Sequence, residues 1–130
     1  MCTVLVVDDE TDLLELYTDI LEIMGYRVIQ AHDGWQALES AHRERPDLIV
    51  TDWMMPHLDG VELCLSLRED PAFRSIPIIL HSSRRAPHLP GIRVLSKGCP
   101  LEEFEDAVAE VLDDTLDAVP AAREEPRVAC

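Results

Sequence analysis

Short apolar runs without polar alternation recur along the chain, and most are followed by a segment of helical periodicity. Such runs are typical of strands that are buried on both faces of a parallel sheet. Five strands are predicted, at Thr3 to Val7, Arg27 to Ala31, Leu48 to Thr51, Pro77 to Leu80 and Ile92 to Leu95. Strands that alternate with crossover helices indicate an α/β fold around one parallel sheet.

Four helices are predicted from apolar positions that recur at helical spacing. Thr11 is suited to cap the first helix, and Gly25 is suited to end it. The other three are predicted from Gly34 to Glu44, from Val61 to Arg68 after Asp59 and Gly60, and from Pro100 onward.

The composition is that of one globular domain. The 130 residues are 47% hydrophobic and 28% charged, which is enough for a single packed core. We expect the folded domain to cover residues 1–118. Residues 119–130 show little periodicity, so we expect a frayed C-terminal tail there and no second domain.

The charge balance excludes several classes of partner. Acidic residues outnumber basic residues 26 to 11, and a net charge of -15 repels nucleic acids and anionic membranes. The apolar runs are too short to span a membrane, and the N-terminus lacks the regions of a signal peptide. The four cysteines form no CxxC pair, so we expect free thiols and a cytoplasmic location.

Polar side chains stand at the ends of four predicted strands. Asp8 and Asp9 follow the first strand and Asp52 the third, whereas Ser82 and Lys97 follow the fourth and the fifth. The crevice of an open parallel sheet lies beyond these ends, so the four segments are expected to converge. Clustered carboxylates fit a hard cation such as Mg²⁺, and a carboxylate beside a metal, an ammonium and a hydroxyl is suited to phosphoryl transfer.

The chain resembles the receiver domain of response regulators, the chemotaxis-regulator-like domain of two-component signalling systems. The resemblance rests on Val6 to Glu10, Asp52 to Gly60, Pro77 to Ser82 and Lys97, and it covers residues 3 to about 118. It implies a flavodoxin-like, doubly wound sheet of five parallel strands in the order 2-1-3-4-5.

The resemblance also implies a role for each polar residue. Asp9, Asp52 and the backbone carbonyl of Met54 would bind Mg²⁺ directly, and Asp8 would act through water. Asp52 would accept the phosphoryl group in a self-catalysed transfer that is followed by hydrolysis, without turnover of a separate substrate. In that reaction Ser82 would donate a hydrogen bond to the phosphoryl group, and Lys97 would pair with it.

A sensor histidine kinase or a histidine phosphotransferase is the implied phosphoryl donor. Since no output domain is predicted, we expect a stand-alone switch that acts on an unknown protein target or passes the phosphoryl group along a relay. The sequence leaves open whether activation creates a dimer.

Three departures from the family pattern bear on switching. Only fourteen residues, Ser83 to Ser96, separate Ser82 from Lys97, and two of them are prolines, so the family's helix between the fourth and fifth strands is predicted to be missing or reduced. Val94 stands at the aromatic switch position, and Gly98 replaces the proline after Lys97. Two alternatives follow. The domain switches through residues 83–91, or it is a phosphorylation-independent interaction scaffold.

Two enzyme or cofactor classes fit less well. A metal-dependent phosphatase would carry a second acid two residues after Asp52, where Met54 stands. Flavin binding would need a phosphate-cradling loop after the first strand, and the acidic run Asp8 to Glu10 would repel a phosphate.

Other apolar and aromatic side chains allow further predictions. On the first helix, the expected buried positions are Leu13, Leu16, Tyr17, Ile20 and Met24. Leu14 and Ile23 lie beside them and predict either a docking surface for a kinase or phosphotransferase helix or a wider buried stripe. Trp53 is expected near the pocket and Trp35 against a helix surface. Surface or loop positions are expected for His32, His42, His57, His81 and His88.

Overall fold

The computed structural model describes residues 2–55, 57–82 and 92–117. Strands and helices alternate over most of these residues. They are β1 (Thr3–Val7), α1 (Thr11–Ile23), β2 (Arg27–Ala31), α2 (Gly34–Arg43), β3 (Leu48–Asp52), α3 (Gly60–Glu69), β4 (Ile78–Ser82), β5 (Ile92–Ser96) and α4 (Leu101–Asp117).

The strands form one parallel sheet in the order β2-β1-β3-β4-β5. The predicted flavodoxin-like fold is therefore confirmed. Every residue of the three central strands is buried, which explains why their sequences lack polar alternation. The edge strands β2 and β5 are only partly buried, and their sequences include polar residues.

Helices cover the sheet on both faces and create two apolar clusters. On one face, α2 and α3 pack residues such as Ala37, Leu63 and Leu67 against the sheet. On the other face, α1 and α4 contribute Tyr17 and Phe104 among others. Burial on both faces leaves the carboxyl edge of the sheet as the place where polar side chains gather.

The predicted element boundaries differ from the observed ones by at most two residues. Thr11 is the first residue of α1 and not its cap, since Glu10 occupies the cap position without a side-chain hydrogen bond. Gly25 follows the end of this helix with a φ of 99°, a left-handed conformation that glycine adopts without steric cost.

The buried stripe of α1 is wider than predicted, because Leu13, Ile20 and Met24 are partly buried against the core and Leu14 and Leu21 are buried as well. Leu14, Tyr17 and Leu21 are buried, whereas Leu16 is 40% exposed and Ile23 is 85% exposed. The prediction that Leu14 belongs to a docking surface is therefore wrong. Leu14 and Leu16 each belong to an apolar series at helical spacing, so spacing alone did not determine which series faces the sheet.

Several other predictions concern features away from the sheet. The reduced helix was predicted at residues 83–91 and the frayed tail at 119–130, and both lie outside the described residues. Over the described ranges, no helix is long and apolar enough to cross a membrane. Cys64 and Cys99 are free thiols, as predicted, whereas Cys130 lies outside the described residues.

Candidate functional site

Three carboxylates meet at the carboxyl edge of the sheet. Asp8 and Asp9 follow β1, Asp52 ends β3, and one oxygen from each lies within 4.8 Å of the other two. Asp8 and Asp52 are buried, whereas Asp9 is exposed to solvent. Adjacent parallel strands with matching registers, Val7 beside Thr51, bring these residues together.

The ammonium group of Lys97 lies among these carboxylates. Its Nζ atom is 3.1 Å from Oδ2 of Asp8 and 3.2 Å from Oδ2 of Asp52, and Oε1 of Glu10 is 3.7 Å away. The backbone N–H of Lys97 donates to the carbonyl of Ser82 over 2.7 Å, so the pairing of β4 and β5 extends to the lysine. Only 9% of the Lys97 side chain is exposed, which strengthens its ion pairs relative to surface pairs.

Backbone donors orient the two buried carboxylates. The N–H of Glu10 donates to Oδ1 of Asp8 over 2.9 Å, and the N–H of Trp53 donates to Oδ1 of Asp52 over 2.8 Å. In both residues the other oxygen, Oδ2, faces Lys97. Each carboxylate therefore has one oxygen held by the backbone and one directed into the pocket.

Burial and like charge raise the pKa of both buried carboxyl groups. Desolvation and the neighbouring Asp8 raise the pKa of Asp52 to about 6, although Lys97 opposes the shift. Desolvation also raises the pKa of Asp8. The pKa of Lys97 is raised, since its two carboxylate partners outweigh the desolvation that lowers it. The pocket is thus short of positive charge in spite of the lysine.

The connection between β3 and α3 approaches Asp52 closely. Gly60 donates its N–H to the carbonyl of Trp53 over 2.7 Å, and a Cβ atom at Gly60 would lie 2.1 Å from the carbonyl oxygen of Asp52. Asp59 caps α3 in a reciprocal capping box with Glu62. The motif that follows Asp52 therefore folds back against β3, the strand that carries this aspartate.

The structure places the remaining predicted site residues at the same edge. Ser82 is buried at the end of β4. Met54 follows Asp52 by two residues and its side chain is 53% exposed, while Trp53 is partly buried against the core. The roles assigned to these residues and to Lys97 stay predictions.

His81 was not recognised from the sequence as a neighbour of the site. It is 3% exposed and not a surface or loop residue, so that prediction is wrong. His81 pairs in register with Asp52, and its ring lies 4.8 Å from that of Tyr17 and 5.5 Å from that of Phe104, between centroids. The available signal was its place in the apolar strand from Ile78, where it shares a face with Ile79.

Burial and the nearby lysine govern the titration of this imidazole. Desolvation, and then the charge of Lys97, lower the pKa of His81 to about 4. The backbone of Ser96 opposes the shift, but neither ring nitrogen makes a hydrogen bond of good geometry. His81 is therefore a neutral ring near pH 7.

The pocket fits a hard divalent cation. Among the described residues, four carboxylates, those of Asp8, Asp9, Glu10 and Asp52, are opposed by the ammonium of Lys97. Every side-chain ligand atom in the cluster of Asp8, Asp9 and Asp52 is an oxygen, the donor type that Mg²⁺ prefers. A cation there would also offset the desolvation that raises the pKa of the buried pair.

Comparisons with known proteins agree with this geometry. A family model for the response regulator receiver domain matches residues 4–109. The alkaline phosphatase synthesis transcriptional regulatory protein PhoP of Bacillus subtilis is 46% identical over 81 residues, which are 62% of this chain and 33% of that protein. The polar-differentiation response regulator DivK of Brucella anthropi is 36% identical over 77 residues, 59% of this chain and 63% of that protein.

A similarity also exists at the level of structure. The chemotaxis response regulator CheY4 of Vibrio cholerae superposes with a TM-score of 0.79 at 27% identity, covering 85% of this chain and 98% of that chain. The matched segment spans only about a third of the length of the Bacillus regulator, so that likeness concerns one part of a longer protein.

Proposed function

The chain belongs to the response regulator receiver domain family, and from this premise we propose that it accepts a phosphoryl group on Asp52 in a Mg²⁺-dependent reaction. The donor is a sensor histidine kinase or a histidine phosphotransferase. Phosphorylation then switches contacts with a downstream protein. The chemistry is a self-catalysed transfer and hydrolysis, without turnover of a separate substrate.

The contact between Asp52 and Lys97 carries this proposal. Oδ2 of Asp52 lies 3.2 Å from an ammonium that is itself almost fully buried, beside a second buried carboxylate. This buried ion pair differs from an ordinary surface ion pair, which is exposed to solvent and contributes little to stability. A cation beside the attacking oxygen instead stabilises the charge that develops during phosphoryl transfer.

Asp8, Asp9, Asp52 and the backbone carbonyl of Met54 are the groups that would hold Mg²⁺. When bound, the ion supplies positive charge that stabilises the transferring phosphoryl oxygens. The acidic cluster supports these assignments, since its side-chain ligands are all carboxylate oxygens within 4.8 Å of one another.

The protein's own groups orient the reaction. The N–H of Trp53 holds Oδ1 of Asp52, which leaves Oδ2 to attack the phosphorus while the bond to the donor's leaving group breaks. Lys97 pairs with a phosphoryl oxygen, and Ser82 donates a hydrogen bond to the same group.

The experiment is phosphorylation by acetyl phosphate with Mg²⁺, followed by intact mass measurement. We expect one phosphoryl adduct on the wild type and none on Asp52→Asn. Asp19→Asn, which removes an exposed carboxylate of α1, is the matched control and should retain the adduct. An adduct of undiminished yield on Asp52→Asn would contradict the proposed acceptor.

A phosphorylation-independent interaction scaffold is the second candidate. Val94 at the aromatic switch position favours it, because this side chain is 37% exposed and has no ring to move inward. For the scaffold we expect no adduct and no change of tryptophan fluorescence with Mg²⁺ or with a beryllofluoride phosphoryl mimic. We infer a cytoplasmic location for either function, where a histidine kinase would meet the domain.

A further inference from the structure

The described residues between β3 and α3, 53–55 and 57–59, are held from two sides. Gly60, the first residue of α3, holds the side next to Asp52. The first turn of α2 holds the other side: a Cβ atom at Gly34 would lie 2.3 Å from the carbonyl oxygen of Leu58, so the two backbones are in contact. The helix α2 therefore supports a loop that belongs to the phosphorylation site.

Trp35 extends this support to His57. The two rings are stacked, with centroids 4.9 Å apart and planes inclined by 16°. Trp35 is 62% exposed, so core packing does not account for a residue of this size at this position. The stack is its one described ring contact.

His57 has a backbone conformation that needs support. Its φ of 69° is the only positive φ of a non-glycine residue among the described residues. A side chain in the left-handed region is strained, and such strain persists where surrounding contacts hold it in place. Stacking on Trp35 is a contact of that kind, because it holds the His57 ring against a neighbouring helix.

We propose that Trp35 is a positioning residue for the metal site. Through its stack on His57 it restricts the conformations of the residues between β3 and α3, which include Met54. The inference rests on the proposed function, in which the backbone carbonyl of Met54 is a ligand of Mg²⁺. Loss of the stack widens the range of loop conformations, so fewer molecules present the carbonyl correctly and Mg²⁺ binds more weakly.

The test compares Trp35→Ala with Trp35→Phe in Mg²⁺ titrations. Both variants keep Trp53 as the only tryptophan, which makes its fluorescence an unambiguous reporter. Trp35→Phe retains an aromatic ring for the stack and serves as the reference. We expect Trp35→Ala to bind Mg²⁺ about five-fold more weakly than this reference, or about 1 kcal/mol, with the same Tm without metal.

Ile23→Ala in the Trp35→Phe background is the matched control. Ile23 is 85% exposed on α1 and belongs to no contact with the loop that the structure shows. The control should bind Mg²⁺ as the reference does. Phosphorylation by acetyl phosphate should separate the effects further: Trp35→Ala should be slow at low Mg²⁺ and reach the reference rate at saturating Mg²⁺.

A second background, His57→Asn, tests whether the stack of Trp35 on His57 causes the difference in Mg²⁺ affinity. His57→Asn keeps a residue that tolerates the left-handed backbone but removes the ring. In this background, Trp35→Ala should cause no further loss of Mg²⁺ affinity compared with Trp35→Phe. A full additional five-fold loss would mean that Trp35 acts by a route other than His57, and the inference would be overturned.

Equal Mg²⁺ affinity of Trp35→Ala and Trp35→Phe would overturn the inference, and so would a lowered rate that saturating Mg²⁺ does not restore. Failure of the proposed function looks different. It would appear as a missing phosphoryl adduct on the wild type. The Mg²⁺ affinities of Trp35→Ala and Trp35→Phe would still decide the role of Trp35. If the wild type binds no Mg²⁺, both proposals are wrong.

Discussion

At the scale of single residues, the site concentrates negative charge that the fold only partly neutralises. Asp8 and Asp52 are buried close to each other, and desolvation and mutual repulsion raise the pKa of Asp52. Lys97 opposes this effect, but its single positive charge faces three carboxylates, those of Asp8, Asp52 and Glu10. The residual charge favours a bound cation and makes cation binding sensitive to pH.

Affinity for Mg²⁺ should therefore fall at mildly acidic pH. With the pKa of Asp52 at about 6, the carboxylate is mostly ionised at pH 7 and about one tenth ionised at pH 5. Since the metal binds the ionised form, we expect a roughly tenfold weaker affinity at pH 5 than at pH 7 in tryptophan fluorescence titrations. An unshifted carboxyl group would show almost no change over this range, and that result would contradict the prediction.

His81 should weaken the fold in acid. Its pKa is 6.5 when unfolded and about 4 when folded, so its contribution is present above pH 6.5 and is lost as the pH falls toward 4. The loss is on the order of 3 kcal/mol. The free energy of unfolding of His81→Leu, from urea titrations between pH 7 and pH 4, should exceed the wild-type value by an amount that grows as the pH falls.

Comparison of the wild type with His81→Leu separates the effect of His81 titration on stability from that of the carboxyl groups. The raised pKa of Asp52 acts in the opposite sense: its stabilisation is fully present below pH 3.8 and is lost as the pH rises through about 6. Both proteins contain Asp52, so its contribution largely cancels in the difference. A difference between variant and wild type that is independent of pH would show that His81 is not buried in its neutral form.

At the scale of elements, the connection between β3 and α3 links fold and site. Its start is the strand residue Asp52, and its end is the capping box at Asp59. Both neighbouring helices begin with a glycine that contacts this connection through its backbone, Gly34 at Leu58 and Gly60 at Asp52. The described residues of this connection are therefore held against both helices.

Gly60→Ala should destabilise the protein strongly. The added Cβ atom would lie 2.1 Å from the carbonyl oxygen of Asp52, and this backbone can move only if β3 or α3 shifts. We expect a loss of about 2 to 3 kcal/mol in the free energy of unfolding, measured by urea titration. Gly98→Ala is the control, because its Cβ would meet Ser96 at an ordinary 3.6 Å. Equal effects of the two substitutions would contradict the steric argument.

At the scale of the whole molecule, a net charge of -15 opposes compaction. The fold brings three of these charges together at the carboxyl edge of the sheet, where β1 and β3 end. The cation that the site attracts should therefore stabilise the entire fold, since the unfolded chain lacks the assembled cluster.

Mg²⁺ should raise the free energy of unfolding by about 2.7 kcal/mol at a concentration one hundred times its Kd. The measurement is urea denaturation with Mg²⁺ and with NaCl of equal ionic strength, which separates site binding from general screening. Asp9→Ala removes an exposed carboxylate of the proposed metal site without changing the core, and it should abolish the gain that is specific to Mg²⁺. An equal gain in NaCl, or in Asp9→Ala, would show that only screening is involved.

The sequence by itself determined the succession of strands and helices along the chain, most of their boundaries and which segments meet at the site. Apolar runs such as Thr3–Val7 and caps such as Asp59 are local signals, and the resemblance to receiver domains supplied the strand order. The placement of Asp8, Asp9 and Asp52 at one edge follows from the rule that parallel strands end on the same side.

Only the tertiary structure decided which of several equivalent faces became buried. Leu14 and Leu16 both fit a helical stripe, and packing against the sheet buried Leu14. His81 is polar, yet strand pairing beside Asp52 placed it against the rings of Tyr17 and Phe104. The stack of Trp35 on His57 likewise joins residues from separate elements. Such contacts depend on the positions of distant segments, and local spacing along the chain does not contain that information.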